Sequence, residues 1–276
     1  MNTTLRPDPA PLADTAGPAA GAADAARVDA APIRLNPLAA TAPFQWLKLG
    51  WRDFTRAPLL GLFYGACFAA MGGLLMLLFR QAPAWVLALS AGFLLVGPFL
   101  CLGLYDTSRR LERGERPQLG RSLVAWRTRS GTMAIFGAVL LVIEMLWARA
   151  SLVVFALSFD GMPDFKGSLL ALLDPQNLTF IVAYLIVGGL FATLIFACSV
   201  VAMPMILDRE TDAISAGITS IRLCLAQPGV MLLWGLTITA IVVVALLPWF
   251  LGLLVAAPVL GHASWHAYRA AVANAN

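Results

Sequence analysis

Thirty consecutive residues from Leu178 to Leu207 carry no charge. That run constrains the chain more than any other feature. A helix rises 1.5 Å per residue, and about 20 apolar residues span the hydrocarbon of a bilayer. Three similar runs precede it: Pro58–Phe79 (22 residues), Ala82–Leu104 (23) and Thr132–Phe159 (28, interrupted by Glu144 and Arg149). The last, Gly229–Tyr268, has 40 residues without Asp, Glu, Lys or Arg. One helix of that length is about twice as long as the core is thick. Two spans with a turn near Leu247-Pro248-Trp249 fit better, because proline lacks an amide donor and disfavours helix before it. The expectation is six spans, with five as the alternative.

Composition agrees. The chain is 60% apolar and 12% charged, against about 25% charged in soluble domains. Arginines sit at the ends of apolar runs rather than on a polar face, which argues against nucleic acid as a partner. The expected partners are the lipid bilayer and other membrane proteins. Cys67, Cys101, Cys198 and Cys224 form no CxxC or Cys/His group and read as small buried hydrophobes. No cofactor is expected. Residues 1–42, rich in Ala, Pro, Asp and Thr, read as a disordered tail, 43–270 as the membrane domain and 271–276 as a short C-terminal tail.

Cytoplasmic loops collect Lys and Arg. Lys48, Arg52 and Arg56 precede the first run, seven arginines from Arg109 to Arg129 follow the second, and Arg209 and Arg222 follow the fourth. The opposite links hold Arg80 and Lys166. Both termini are therefore expected in the cytoplasm, with Trp46, Trp51, Trp126 and Trp265 at the inner interface and Trp85 and Trp249 at the outer one.

A device recurs before the first, third and fifth runs. Leu47, Trp51 and Phe54 share a helix face with Lys48, Arg52 and Arg56 off it. Leu119, Leu123 and Trp126 do the same, as do Ile214, Ile218, Ile221 and Leu225. These read as amphipathic helices in the headgroup plane. The fold class expected is all-α: six transmembrane helices as three repeats of interfacial helix plus two spans, about 44–113, 118–210 and 212–269.

Few residues suggest chemistry. Glu144 lies near mid-core and Arg149 five residues on; together they are candidates for a substrate or ion path. His262 and His266 are i, i+4, a spacing that suits a metal or haem. Asp106, Arg109, Arg110, Asp208 and Arg209 cap the inner ends of two spans and form a candidate polar cluster around the repeat axis. The loop 160–177 carries three Asp and one Lys, a weak candidate cation site.

The stretches "LKLGWRDFTRAPLLGLFYG", "AGFLLVGPFLCLGLYDTSRRLERGE" and "APVLGHASWHAYR" together resemble a family of bacterial integral membrane proteins, domain of unknown function 2189. The resemblance extends over about 44–269. It implies a polytopic protein of the bacterial cytoplasmic membrane and assigns no reaction or residue role. The reading favoured is a non-catalytic structural, assembly or regulatory component. A small transporter or channel using Glu144 is the alternative, and a haem or metal protein using the two histidines is the third.

Overall fold

Proline opens two of the long helices, and the residue before each turns the chain in the same way. Ala57 has φ −133°, ψ 56° ahead of Pro58, and Gln227 has φ −136°, ψ 58° ahead of Pro228. Proline is favoured at the first helical position, where its missing N–H is not needed. The computed structural model describes residues 33–81, 86–158 and 177–273, with backbone only for 79–81 and 86–95. The chain divides into two units, Met1–Arg34 and Leu35–Asn276. All the described helices belong to the second: α1 (Ala42–Arg56), α2 (Pro58–Gln81), α3 (Val86–Glu112), α4 (Leu119–Leu123), a 3-10 turn (Ala125–Arg129), α5 (Ser130–Ser158), α6 (Leu178–Ser199), α7 (Ala202–Asp208), α8 (Ala213–Ala226), α9 (Pro228–Leu246) and α10 (Leu253–Ala271). Among the described residues there is no strand beyond a single bridge between Leu35 and Val272.

Among the described residues, four segments are long and apolar enough to cross a bilayer: Pro58–Leu78, Leu119–Ser158, Leu178–Asp208 and Pro228–Leu246. The 40-residue run is split into α9 and α10, and the turn falls at the expected place. Trp249 (φ 53°) and Phe250 (φ 65°) adopt the left-handed conformation there, which bulky residues seldom take. Neighbouring packing holds it: the Phe250 ring lies directly over Gly72 of α2. The run 178–207 is broken at Val200-Val201, between α6 and α7.

Glycine sets the helix contacts. Lipid gives helices no hydrophobic reason to associate, so close approach through small residues does it. Along α2, Gly61 faces Pro258, Gly65 faces Leu254 and Gly72 faces Phe250, so α2 and α10 run antiparallel. Tyr64 lies against Gly103 and Phe68 near Gly97, which places α3 antiparallel on another side of α2. Gly137 of α5 meets Phe99 of α3, and Gly235 of α9 meets Phe196 of α6. Gly50 seats α1 on Val259 and Ala263 of α10.

The interfacial helices set small and polar residues against the protein. In α1 the buried set is Trp46, Gly50, Asp53 and Phe54, while Trp51 and Phe44 are exposed. In α8, Ala216, Thr219, Ser220 and Leu223 are buried; Ile214, Ile218 and Leu225 point outward. The larger apolar side chains turn away from the protein. That is what a surrounding as apolar as the interior permits, so hydrophobicity alone does not mark the inward face. Trp46 and Trp265 are not belt residues: both are buried, Trp46 edge-on to Trp234 with ring centroids 5.4 Å apart. Trp51, Trp126 and Trp249 are exposed. Trp85, Arg80 and Lys166 lie where no side chain is described, as does most of the acidic loop 160–177.

The chain ends are held by each other. Asn36 donates its amide N–H to Ala271 O (2.8 Å), and Leu38 N–H donates to Gln227 Oε1 (2.7 Å). Val272 is buried. The packed unit thus begins at Leu35, ahead of the boundary at 43, and extends past 271.

Candidate functional site: a buried charge network

The arginine-rich ends of α3, α7 and α10 meet, with α1 laid across them. The sequence reason is local. α3 and α10 each continue past an internal proline, Pro98 and Pro258, into a polar last stretch: Asp106-Thr107-Ser108-Arg109-Arg110 and His262 to Arg269. α7 ends at Asp208.

Asp106 is 1% exposed and receives two guanidinium groups from its own helix. Arg109 donates to Oδ1 at 2.6 Å and Arg110 to Oδ2 at 2.7 Å, the i, i+3 and i, i+4 partners. Arg109 also donates to Leu207 O at 2.9 Å. That carbonyl lies in the last turn of α7, where helical acceptors have no partner and cations are favoured. Arg110 reaches Glu115 at 3.0 Å.

Asp208 accepts from the Tyr268 hydroxyl at 2.8 Å and faces Arg269 at 3.5 Å. Arg209 donates through Nε to the same hydroxyl (2.8 Å) and through its terminal nitrogen to Ala273 O (2.6 Å), satisfying the end of α10. Arg269 in turn meets Glu112 at 3.3 Å.

The two histidines face different partners. His266 Nε2 is 2.7 Å from Asp53 Oδ2, and its Nδ1 is 3.6 Å from Glu112. His262, wholly buried, shares a 2.8 Å hydrogen bond through Nδ1 with Ser108 Oγ. Burial pushes the Asp53 carboxyl up, but its hydrogen bond to His266 and the charge there outweigh this, so it lies below the ordinary carboxylate range.

The network pairs Asp106 with Arg109 and Arg110, Glu112 and Asp208 with Arg269, and Asp53 with His266, while Arg209 is held by the Tyr268 hydroxyl and the Ala273 carbonyl. A buried charge requires such pairing, because an unpaired one costs several kcal/mol, about 3–5 when a partner is removed. The structure brings the five expected cluster residues together and joins both histidines to them. It gives each histidine a partner on another helix, Asp53 at His266 Nε2 and Ser108 at His262 Nδ1, and leaves His262 Nε2 buried without a hydrogen bond. No group of three or more His, Cys, Asp or Glu that could hold a metal occurs among the described residues. Ser108 is buried beside His262, out of reach of a substrate.

Glu144 stands elsewhere, buried on the inward stripe of α5 with Leu140 and Ser151. Arg149 is exposed on the same helix, and no ion pair joins the two among the described residues. Asp53 and Glu112 were missing from the sequence candidates. Asp53 had a visible signal, a lone acid in "GWRDF" on an otherwise basic helix, but its partner lies 213 residues away.

Helices of this length and apolarity, joined through small residues and closed by a paired charge network, define a polytopic helical membrane protein. The comparison with known families agrees: residues 86–208 match the family described as predicted integral membrane protein (DUF2189). Over α3 to α7 the chain is thus similar to that family of predicted integral membrane proteins. Of the three stretches that carried the resemblance, only "AGFLLVGPFLCLGLYDTSRRLERGE" falls inside the match; the two around residues 47–65 and 257–269 lie outside it. No curated protein and no solved structure matches.

Proposed function

We propose that the chain is a six-span protein of the bacterial cytoplasmic membrane, built from three repeats. It acts without catalysis as a structural, assembly or regulatory component. The observation that carries the non-catalytic reading is the internal pairing of the charge network. Its carboxylates and guanidinium groups are matched within the chain, and Leu104, Met205, Ile206 and Tyr268 fill the space among the helix ends.

Packing supports six spans. α3 and α10 lie antiparallel along α2 over several turns, so they share its depth in the bilayer. Equivalent positions support the repeat. Six residues after Pro58, Ser130 and Pro228 come Tyr64-Gly65, Phe136-Gly137 and Trp234-Gly235, each aromatic ring buried. Eight residues before the same three starts come Gly50, Ser122 and Ser220, all buried at the protein side of the interfacial segment. The contacts close cyclically. The first unit's α2 packs on the third unit's α10, the second unit's α5 on the first unit's α3, and the third unit's α9 on the second unit's α6. The arginine-rich network then faces the cytoplasm. A cysteine at Arg113, exposed at the edge of the network, should resist a membrane-impermeant reagent in intact cells; strong labelling would reverse the orientation.

Transport remains the second reading because Glu144 is a buried acid on a spanning helix. The test is reconstitution in vesicles with ion and proton flux measured. Vesicles as tight as protein-free ones support the scaffold reading. A flux that disappears in Glu144→Gln overturns it.

A further inference from the structure

Above the charge network the helices do not close on one another. A cavity of about 580 Å³ lies between α2, α3, α6, α9 and α10, within the ~300–1,000 Å³ range of small-molecule sites. Its walls are Phe68, Met71, Phe196, Met203, Ile238 and Phe250. We propose that this cavity binds one hydrocarbon tail of a bilayer phospholipid, whose headgroup stays outside at the interface.

Three observations select that ligand. First, the cavity offers little to a polar molecule. Its hydroxyls are Tyr105, Ser199 and Ser264. Ser199 donates to Ile195 O (2.7 Å) and Ser264 to Leu260 O (2.8 Å), each within its own helix. Tyr105 is the third hydroxyl of the lining, one helical turn from Cys101. A resident water needs two to four polar partners, and apolar cavities without them stay dry. Second, no charged side chain lines the space, although a paired charge network lies beneath it. An ion or a charged headgroup has no counter-charge there, whereas an uncharged chain needs none. Third, the cavity is continuous with the lipid surface. Its lining includes Phe196 and Ser199 of α6, a helix without a single buried residue. A tail can therefore enter sideways from the bilayer, replacing contacts the lining would otherwise lack.

The inference rests on the six-span reading, since α3 and α10 must lie within the bilayer for the cavity to meet lipid tails. The probe is phosphatidylcholine carrying a photoactivatable diazirine near the end of one acyl chain, in vesicles holding the full-length protein. After illumination, labelled residues are mapped by mass spectrometry. Adducts are expected at Met71, Met203 and Phe250, besides the outward-facing Leu190 and Leu236. In Ser199→Phe, which fills the space, the adducts at Met71 and Met203 should fall several-fold while those at Leu190 and Leu236 stay unchanged. The wild-type map decides even if that variant misfolds. Adducts confined to outward-facing residues overturn the cavity proposal and leave the membrane reading standing. Absence of adducts at outward-facing Val96 and Val255, with Leu190 labelled, overturns the six-span reading. Labelling of the lining by a free diazirine fatty acid but not by the phospholipid overturns the assignment to phospholipid.

Discussion

The glycine-mediated seam between α2 and α10 can be tested within one helix. A Cβ added at Gly65 would sit 2.6 Å from the carbonyl carbon of Leu254 and closer still to its oxygen. Ordinary contact begins at 3.4 Å, so the two backbones must separate by at least 0.8 Å (3.4 − 2.6) to clear the carbon, and by more to clear the oxygen. Backbone cannot swing aside as a side chain can. Overpacking of this kind costs about 1–3 kcal/mol. Gly73, two turns along the same helix, has nothing within 4 Å of such a Cβ. Alanine is the better helix former by about 1 kcal/mol at both positions, so propensity cancels in the comparison. Gly73→Ala should therefore be neutral or stabilising, and Gly65→Ala should fall below it by about 1–3 kcal/mol. Unfolding of both variants in mixed micelles by a denaturing detergent measures that difference. Equal stability of the two would refute close backbone contact as the basis of the seam.

Other consequences concern the charge network and a helix start. Asp53 has a lowered pKa in the folded chain, so its contribution is fully present above the unfolded value of about 3.9 and is lost as pH falls through the folded value. Acid unfolding should show this loss in wild type, and Asp53→Asn should flatten that part of the curve. Asp212 caps α8 by accepting from Ile214 N–H and Ser215 N–H, both at 2.9 Å. Asp212→Ala should cost about 0.5–2 kcal/mol in the same detergent titration, whereas Asp212→Asn should recover most of it. Arg209 ties Tyr268 to the carbonyl of Ala273; Arg209→Ala should speed amide hydrogen exchange at the end of α10 and leave α5 unchanged.

How much of this was readable from the chain depends on what water does to each residue. Uncharged runs mark helices because the bilayer leaves backbone groups no partner but their own helix. That is why the starts at Pro58 and Pro228 and the turn at 247–249 fall where expected. The facing of α1 and α8 was not readable from hydrophobicity. The apolar set with Leu47 and Trp51 was legible, but not that Gly50 and Asp53 make the protein contact, because lipid accepts large apolar groups as readily as the interior does. Smallness was the better guide: Gly50, Ala216 and Ser220 all lie at contacts. The charge cluster was partly legible, since Asp106 with Arg109 and Arg110 is local in sequence. The pair Asp53–His266 was not, because its members are far apart in sequence and only the fold joins them.

The histidine pair shows why spacing needs its surroundings. His262 and His266 lie one turn apart on α10, as a helical metal site requires, yet one turn of helix also separates Ser108 and Glu112 on α3. The two turns face each other, so His262 meets Ser108 while His266 meets Glu112 and, from α1, Asp53. Each imidazole is thereby committed to a partner on another helix. The i, i+4 repeat on α10 acts as a two-point join between α3, α1 and α10 at the level where Asp106 and Asp208 are also paired. The join engages His262 Nδ1 and His266 Nε2 and leaves His262 Nε2 buried without a partner, so the i, i+4 spacing is explained by helix joining without any metal.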